Sequence, residues 1–128
     1  MIVPLYKRAQ LALIAALLAG AAGPASAGEA DIVGAKVTRT SSGVYRFDVT
    51  VTHFDRGWKH YANKWDVVAP DGMVLGTREL LHPHEHEQPF TRSLSGVRVP
   101  KGIATVTLRA HDLVHEYGGK EMTVKIPE

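Results

Sequence analysis

The sequence predicts an all-β fold, a seven-stranded antiparallel β-sandwich that follows an N-terminal signal peptide. Three observations support this prediction. Short segments with alternating polar and apolar residues recur along the chain, turn residues separate them, and no helical period runs through the sequence after residue 27. Parallel βαβ units are excluded because they need helices between their strands.

Residues 1–27 have the composition of a secretory signal peptide. Lys7 and Arg8 precede an apolar run over residues 9–19, and Ala25-Ser26-Ala27 matches an A-x-A cleavage site. The run is shorter than the roughly 18 residues that a membrane span needs. The chain has no cysteine, which excludes a lipid-modified cysteine after cleavage. We therefore expect residues 28–128 to be one periplasmic or secreted domain, with no membrane span in the mature form.

The charge of the predicted mature segment differs from that of the whole chain. Without Lys7 and Arg8 it carries 13 basic and 13 acidic residues, so the formal net charge falls from +2 to zero with the histidines neutral. No run of basic residues remains to bind nucleic acid. Because no disulfide can form either, core packing has to stabilise the domain.

The first four strands form two predicted hairpins. Residues 31–40, with Val33, Ala35 and Val37 on one face, and residues 44–52 flank a turn at 41–43. Residues 64–69 and 73–78 flank Pro70-Asp71-Gly72, where proline presets its φ angle and glycine tolerates a tight turn.

The other three strands complete the sandwich. Residues 90–94 continue through a bulge at Gly96 into 97–99, and residues 103–110 and 120–126 follow. Seven short strands with intervening turns are typical of an immunoglobulin or fibronectin type sandwich. Trp65 is expected in the core on the third strand, and Trp58 and Tyr61 are expected to be buried beneath a long connection.

The order of the turns predicts where the histidines lie. If consecutive strands are antiparallel, successive connections alternate between the two ends of the sandwich. The tight turns at 41–43, 70–72 and 100–102 then share one end, and the longer connections at 53–61, 81–89 and 111–119 share the other. These longer connections contain all seven histidines of the chain.

The histidines suggest a metal site for copper or zinc. The candidate ligands come from the tract 82–87 and from the segment that follows the sixth strand, namely His82, His84, His86, His111 and His115. Neutral imidazole suits these two metals, and no thiolate is present. Imidazoles about 6 to 7 Å apart along an extended row cannot converge on one ion, so a loop bend or an outside donor is required. A helical turn over 112–116 would bring His111 and His115 onto one face.

Two other interpretations remain open. The histidines can form a solvated rim that titrates near neutral pH, and the domain can bind an envelope protein partner without metal. An enzyme is not expected, because the chain lacks cysteine, a nucleophile elbow and a phosphate loop.

The segments 58–61, 65–72 and 87–94 resemble parts of small secreted immunoglobulin-like sandwich proteins of Gram-negative bacteria that have no assigned function. The resemblance extends over the whole predicted mature segment. It implies a periplasmic sandwich and brings no catalytic or binding residue with it.

Overall fold

The computed structural model describes residues 28–128, so the predicted signal peptide lies outside the described residues. The described part is all-β, which confirms the prediction of seven antiparallel strands. A single short 3-10 turn, Gly57–Lys59, lies between the second and third strands. The strands are β1 (Asp31–Ser41), β2 (Val44–Thr52), β3 (Ala62–Val68), β4 (Val74–Glu79), β5 (Phe90–Arg98), β6 (Thr105–Asp112) and β7 (Met122–Lys125).

The strands form two antiparallel sheets. One has the order β1-β2-β5 and the other the order β4-β3-β6-β7. Hairpins join β1 to β2 and β3 to β4, whereas β5 and β6 each pair with a strand that is not their neighbour in sequence. Among residues 28–128, no helix has the length and hydropathy needed to cross a bilayer.

Both sheets contribute to one hydrophobic core. Phe47 and Phe90 come from the first sheet, Trp65 and Leu108 from the second, and all four are almost completely buried. The predicted core position of Trp65 is therefore confirmed. Because burial of one such aromatic side chain contributes about 2 to 3 kcal/mol, these residues fix how the two sheets face each other.

Two β-bulges change which residues of their strands face the core. The predicted bulge at Gly96 is confirmed, since Tyr45 pairs with Val97 but Phe47 pairs with Leu94. A second register shift lies between Ile32 and Gly34 in β1. It buries Ile32 and leaves Val33 exposed, so the predicted inward position of Val33 is wrong. The simple alternation fails there because an extra residue in one strand reverses the face of the residues before it.

Gly119 packs its backbone directly against Ala30, the residue that precedes β1. A Cβ atom at this residue would lie 1.9 Å from the Ala30 carbonyl oxygen, whereas at Gly118 the nearest neighbour would be the flexible Glu29 side chain at 3.3 Å. We expect Gly119→Ala to lower the free energy of unfolding by at least about 2 kcal/mol, because backbone has to move. Gly118→Ala is the matched control and should cost less than half as much. Urea denaturation of both variants measures the difference, and equal losses would contradict the close approach.

A histidine and carboxylate cluster at one end of the domain

Three loops meet at one end of the two sheets. We call residues 53–61, 81–89 and 111–119 loops 1, 2 and 3. The His53 amide donates to Gln88 Oε1 at 3.0 Å, and the His84 amide donates to Asp55 Oδ2 at 2.6 Å, so loop 1 contacts loop 2. The Leu113 amide donates to the Tyr61 carbonyl at 3.3 Å, which joins loops 1 and 3. The prediction that these loops share one end is confirmed.

Loops 1 and 3 bring four metal-ligating side chains together. His53, His60 and Asp112 each offer a ligand atom, and these three atoms lie within 4.8 Å of one another. Asp112 Oδ1 lies 3.3 Å from His60 Nε2 and 3.2 Å from His115 Nδ1. We call His53, His60, Asp112 and His115 the His/Asp cluster. Two ligands about 2.1 Å from one ion are about 3.0 to 3.4 Å apart at coordination angles of 90° to 109°, so the two distances from Asp112 Oδ1 suit a common ion.

Asp112 is the buried carboxylate of this cluster. Its side chain has no exposed area, and Oδ1 accepts the backbone N–H groups of Val114 at 2.9 Å and His115 at 2.7 Å. Burial alone raises the pKa of Asp112, but these donors and the charge of His53 outweigh it and hold the pKa below its ordinary value. Asp112 Oδ2 is also buried and has no hydrogen-bond partner among the described residues. The cluster therefore contains an ionised carboxylate with an unused oxygen.

His53 is held in place by a second carboxylate. Its Nδ1 lies 2.5 Å from Asp55 Oδ1, and its Nε2 lies 2.9 Å from the Gly28 carbonyl oxygen. Both partners are acceptors, so the geometry favours a ring that carries a proton on each nitrogen. Burial lowers the pKa of His53, but the Asp55 carboxylate and the Gly28 carbonyl outweigh it and raise the pKa above its ordinary value.

The pair of His53 and Asp55 has the geometry of a metal ligand with its supporting carboxylate. In metal sites a histidine commonly donates one ring N–H to a carboxylate and binds the metal through the other nitrogen. Here Nδ1 takes the first role, which leaves Nε2 directed at the cluster. An ion that binds Nε2 has to displace its proton, so metal binding at this end releases protons.

A groove gives access to the cluster from solvent. It has a volume of about 490 Å³ and is lined by Gly28, Phe54, Arg56, His60 and His115. The side chains of His60 and His115 are 21% and 35% exposed, whereas those of His53 and Asp112 are fully buried. An ion can therefore reach the cluster past His60 and His115 without opening the core.

The three histidines of loop 2 do not converge. His82 and His86 are exposed, whereas His84 is buried and stacks on the Phe90 ring with centroids 4.0 Å apart. His82 and His84 are neighbours, at 4.5 Å between centroids, and His82 Nδ1 donates to the Pro83 carbonyl. Loop 2 is not an extended strand, and His82, His84 and His86 line one groove on it.

His111 and His115, the other two predicted ligands, lie in different surroundings. His111 is in β6, where Nδ1 lies 2.6 Å from Asn63 Oδ1 and the ring contacts Tyr117 edge-on. His115 belongs to the His/Asp cluster. The helical turn over 112–116 that would bring His111 and His115 onto one face does not form, because Asp112 and Glu116 make an isolated β-bridge.

Neither ring nitrogen of the buried His84 has a hydrogen-bond partner among the described residues. Burial lowers the pKa of His84, and the positive charges of Arg92 and His82 lower it further against the opposing carboxylates of Asp55 and Glu87. The folded state therefore favours neutral His84, and the unfolded state takes up its proton first as the pH falls below about 6.5.

We expect His84→Leu to weaken the loss of stability on acidification. Above about pH 6.5 His84 is neutral in both the folded and the unfolded state and does not lower the free energy of unfolding. Below this pH its contribution lowers the free energy of unfolding by at most about 1.4 kcal/mol per pH unit, until the folded-state pKa is reached. Urea denaturation at pH 7.5 and 5.5 measures the slope. His86→Leu changes an exposed histidine of the same loop and should keep the parent slope. A slope in His84→Leu equal to that of the parent would show that His84 does not contribute.

Exposed apolar side chains lie on the same three loops. Trp58 is 64% exposed, so the expectation that it is buried is wrong, and Tyr61 is only half-buried. The 3-10 turn Gly57–Lys59 has no buried residue, and the Trp58 indole contacts the Tyr61 ring edge-on. The exposed large apolar residues of this end are Phe54, Trp58, Leu81, Leu113 and Val114.

Comparison with known proteins gives one informative relative. A protein named "Putative lipoprotein" from Halomicrobium mukohataei is 42% identical over 96 residues, which is 75% of this chain and 47% of the relative. The chain thus spans about half the length of the curated relative that it matches. No family model matches the chain, and no solved structure matches it.

Proposed function

We propose that this chain is a non-enzymatic domain of the cell envelope that binds one divalent transition metal, copper or zinc, at the His/Asp cluster. The observation that carries the proposal is the approach of ligand atoms from His53, His60 and Asp112 to within 4.8 Å of one another. Imidazole and carboxylate ligands suit zinc and copper(II), and three protein ligands leave a position open toward the groove.

The proposed ligand set differs from the one that the sequence predicts. Of the five predicted histidines, only His115 lies in the cluster, where its Nδ1 is 3.2 Å from Asp112 Oδ1. Asp55 would orient His53 without touching the ion. Binding is favoured over catalysis because the sequence contains no nucleophile motif beside these residues.

Two observations support a location in the envelope. The relative's name describes a lipoprotein, and residues 1–27 have the pattern of a signal peptide. We place the mature chain in the periplasm or outside the cell. The strand orders β1-β2-β5 and β4-β3-β6-β7 also support the finer assignment to the immunoglobulin or fibronectin type of sandwich.

Calorimetric titration of the metal-free protein with copper(II) and with zinc tests the proposal. We expect one ion per chain with a Kd below about 10 µM, and loss of that binding in His60→Ala. The matched control is His82→Ala combined with His86→Ala, which removes two exposed histidines outside the cluster. No binding tighter than this limit, or full binding by His60→Ala, would refute the metal site.

The apolar rim supports a second candidate function, metal-independent binding of an envelope protein. Phe54, Trp58 and Leu81 are each more than 60% exposed, and exposed aromatic residues grouped at one end of a domain often anchor a partner. This function predicts that a specific envelope protein co-purifies with the chain. A chelator should not prevent the co-purification, whereas the substitution Trp58→Ser should. If the Trp58→Ser variant still co-purified with that protein to the same extent, the apolar rim would be excluded as the binding surface.

A further inference from the structure

Gly28 contributes its backbone to the His/Asp cluster. Its carbonyl oxygen accepts hydrogen bonds from His53 Nε2 at 2.9 Å and from His60 Nε2 at 3.2 Å. These two separations match those between two ligands of one ion. The carbonyl oxygen is therefore close enough to His53 and His60 to serve as a further ligand of an ion that they bind.

A side chain at position 28 would have to displace the His115 imidazole. Gly28 has a φ of +105°, and a Cβ atom there would lie 2.6 Å from His115 Cε1. In the uncut chain glycine suits both this backbone conformation and the imidazole packed over it. The group that faces the cluster at this position is the backbone itself.

Gly28 is also the residue that the sequence places at the mature amino terminus. Cleavage after Ala27 adds water across the Ala27–Gly28 peptide bond, which leaves a carboxylate on Ala27 and a free amine on Gly28. An amide nitrogen is a poor metal ligand at neutral pH because its lone pair is delocalised, whereas an amine nitrogen binds copper(II) and zinc well. The amine and carbonyl of one residue close a five-membered ring on a single ion.

We propose that removal of the leader completes the metal site, with the α-amino nitrogen and carbonyl oxygen of Gly28 chelating the ion beside His53, His60 and Asp112. This inference rests on the proposed function and adds a regulation to it. The uncleaved precursor has only part of the ligand set, so the chain binds the metal ion tightly only after the leader has been removed.

The test uses the full chain, produced with its leader in an exporting bacterial host. Intact mass identifies the amino terminus, and competition with a chromophoric chelator measures the copper(II) and zinc affinities. In a second protein, one serine is inserted between Ala27 and Gly28, so that cleavage leaves Gly28 acylated. We expect at least about tenfold weaker binding by the inserted form, the scale of loss on disturbing a metal site. Equal thermal midpoints in chelator show that both proteins are folded.

A spectroscopic measurement on the parent protein does not depend on the insertion. Labelling with [15N]glycine should change the superhyperfine structure of the bound copper(II), because the Gly28 amine is the glycine nitrogen proposed to bind the ion. Equal affinities, an unchanged spectrum, or an amino terminus other than Gly28 would overturn the inference and leave the side-chain site intact. Absence of binding in both proteins would refute the proposed function as well.

Discussion

Asp112→Asn should weaken copper(II) and zinc binding about 100-fold, at the upper end of the losses seen when metal sites are altered. The substitution removes the one carboxylate that lies between His60 and His115, at 3.3 and 3.2 Å from their ring nitrogens. The amide oxygen of asparagine can still accept the N–H groups of Val114 and His115, so loop 3 should keep its turn. Titration calorimetry measures the loss of affinity.

Asp66→Asn is the matched control for this variant. Asp66 is likewise a buried, ionised aspartate, but its partners are Thr77, Arg109 and Tyr117 on the outer face of the second sheet. We expect this control to lower stability and to leave metal affinity unchanged. A similar loss of affinity in both variants would mean that Asp112 acts through the fold rather than as a ligand.

Asp55→Asn should lower the free energy of unfolding by about 3 to 5 kcal/mol, the cost of breaking a buried ion pair. Asp55 Oδ1 accepts from the His53 ring at 2.5 Å and from the Ala62 amide at 3.0 Å, and Oδ2 accepts from the His84 amide at 2.6 Å. An asparagine has one acceptor oxygen, so its NH₂ group must face one of these donors. The loss should also disturb the contact between loops 1 and 2.

Urea denaturation at pH 7 checks this expectation, with Asp48→Asn as the control. Asp48 is a half-buried aspartate on β2 that accepts from Arg46 and Ser93 at the surface. Because solvent screens such pairs, its replacement should cost less than about 1 kcal/mol. Equal losses in the free energy of unfolding would show that the buried network around Asp55 stabilises the fold no more than a surface pair does. Metal affinity of Asp55→Asn should fall about tenfold, as expected for a residue that positions a ligand.

Most of the fold can be predicted from the sequence because each strand carries its own signal. The alternation in residues 44–52 and the turn at Pro70-Asp71-Gly72 depend on local chemistry, and β2, β3 and β4 lie where these signals place them. The bulge near Ile32 is different. It depends on pairing with β2, and no local pattern marks which residue of the run is the extra one.

The candidate site could be predicted only as a location. The alternation of turns correctly brings the three loops together, since strand direction fixes which connections share an end. It cannot show that loop 2 turns His84 inward or that Asp55 and Asp112 are buried. The spacing His53-x-Asp55, directly after β2, is the one local sign in the sequence of a histidine held by a carboxylate. The tract 82–87 is the more conspicuous histidine pattern.

The contacts of His53 have a consequence for the order in which the domain folds and acquires metal. Asp55 and the Gly28 carbonyl oxygen hold the ring without any ion, and the raised pKa of His53 favours a positive charge beside Asp55 and Asp112. The hydrophobic core also contains none of the ligands. Unlike a zinc finger, which is unfolded without its ion, this chain should fold first and then exchange protons for metal on a finished scaffold.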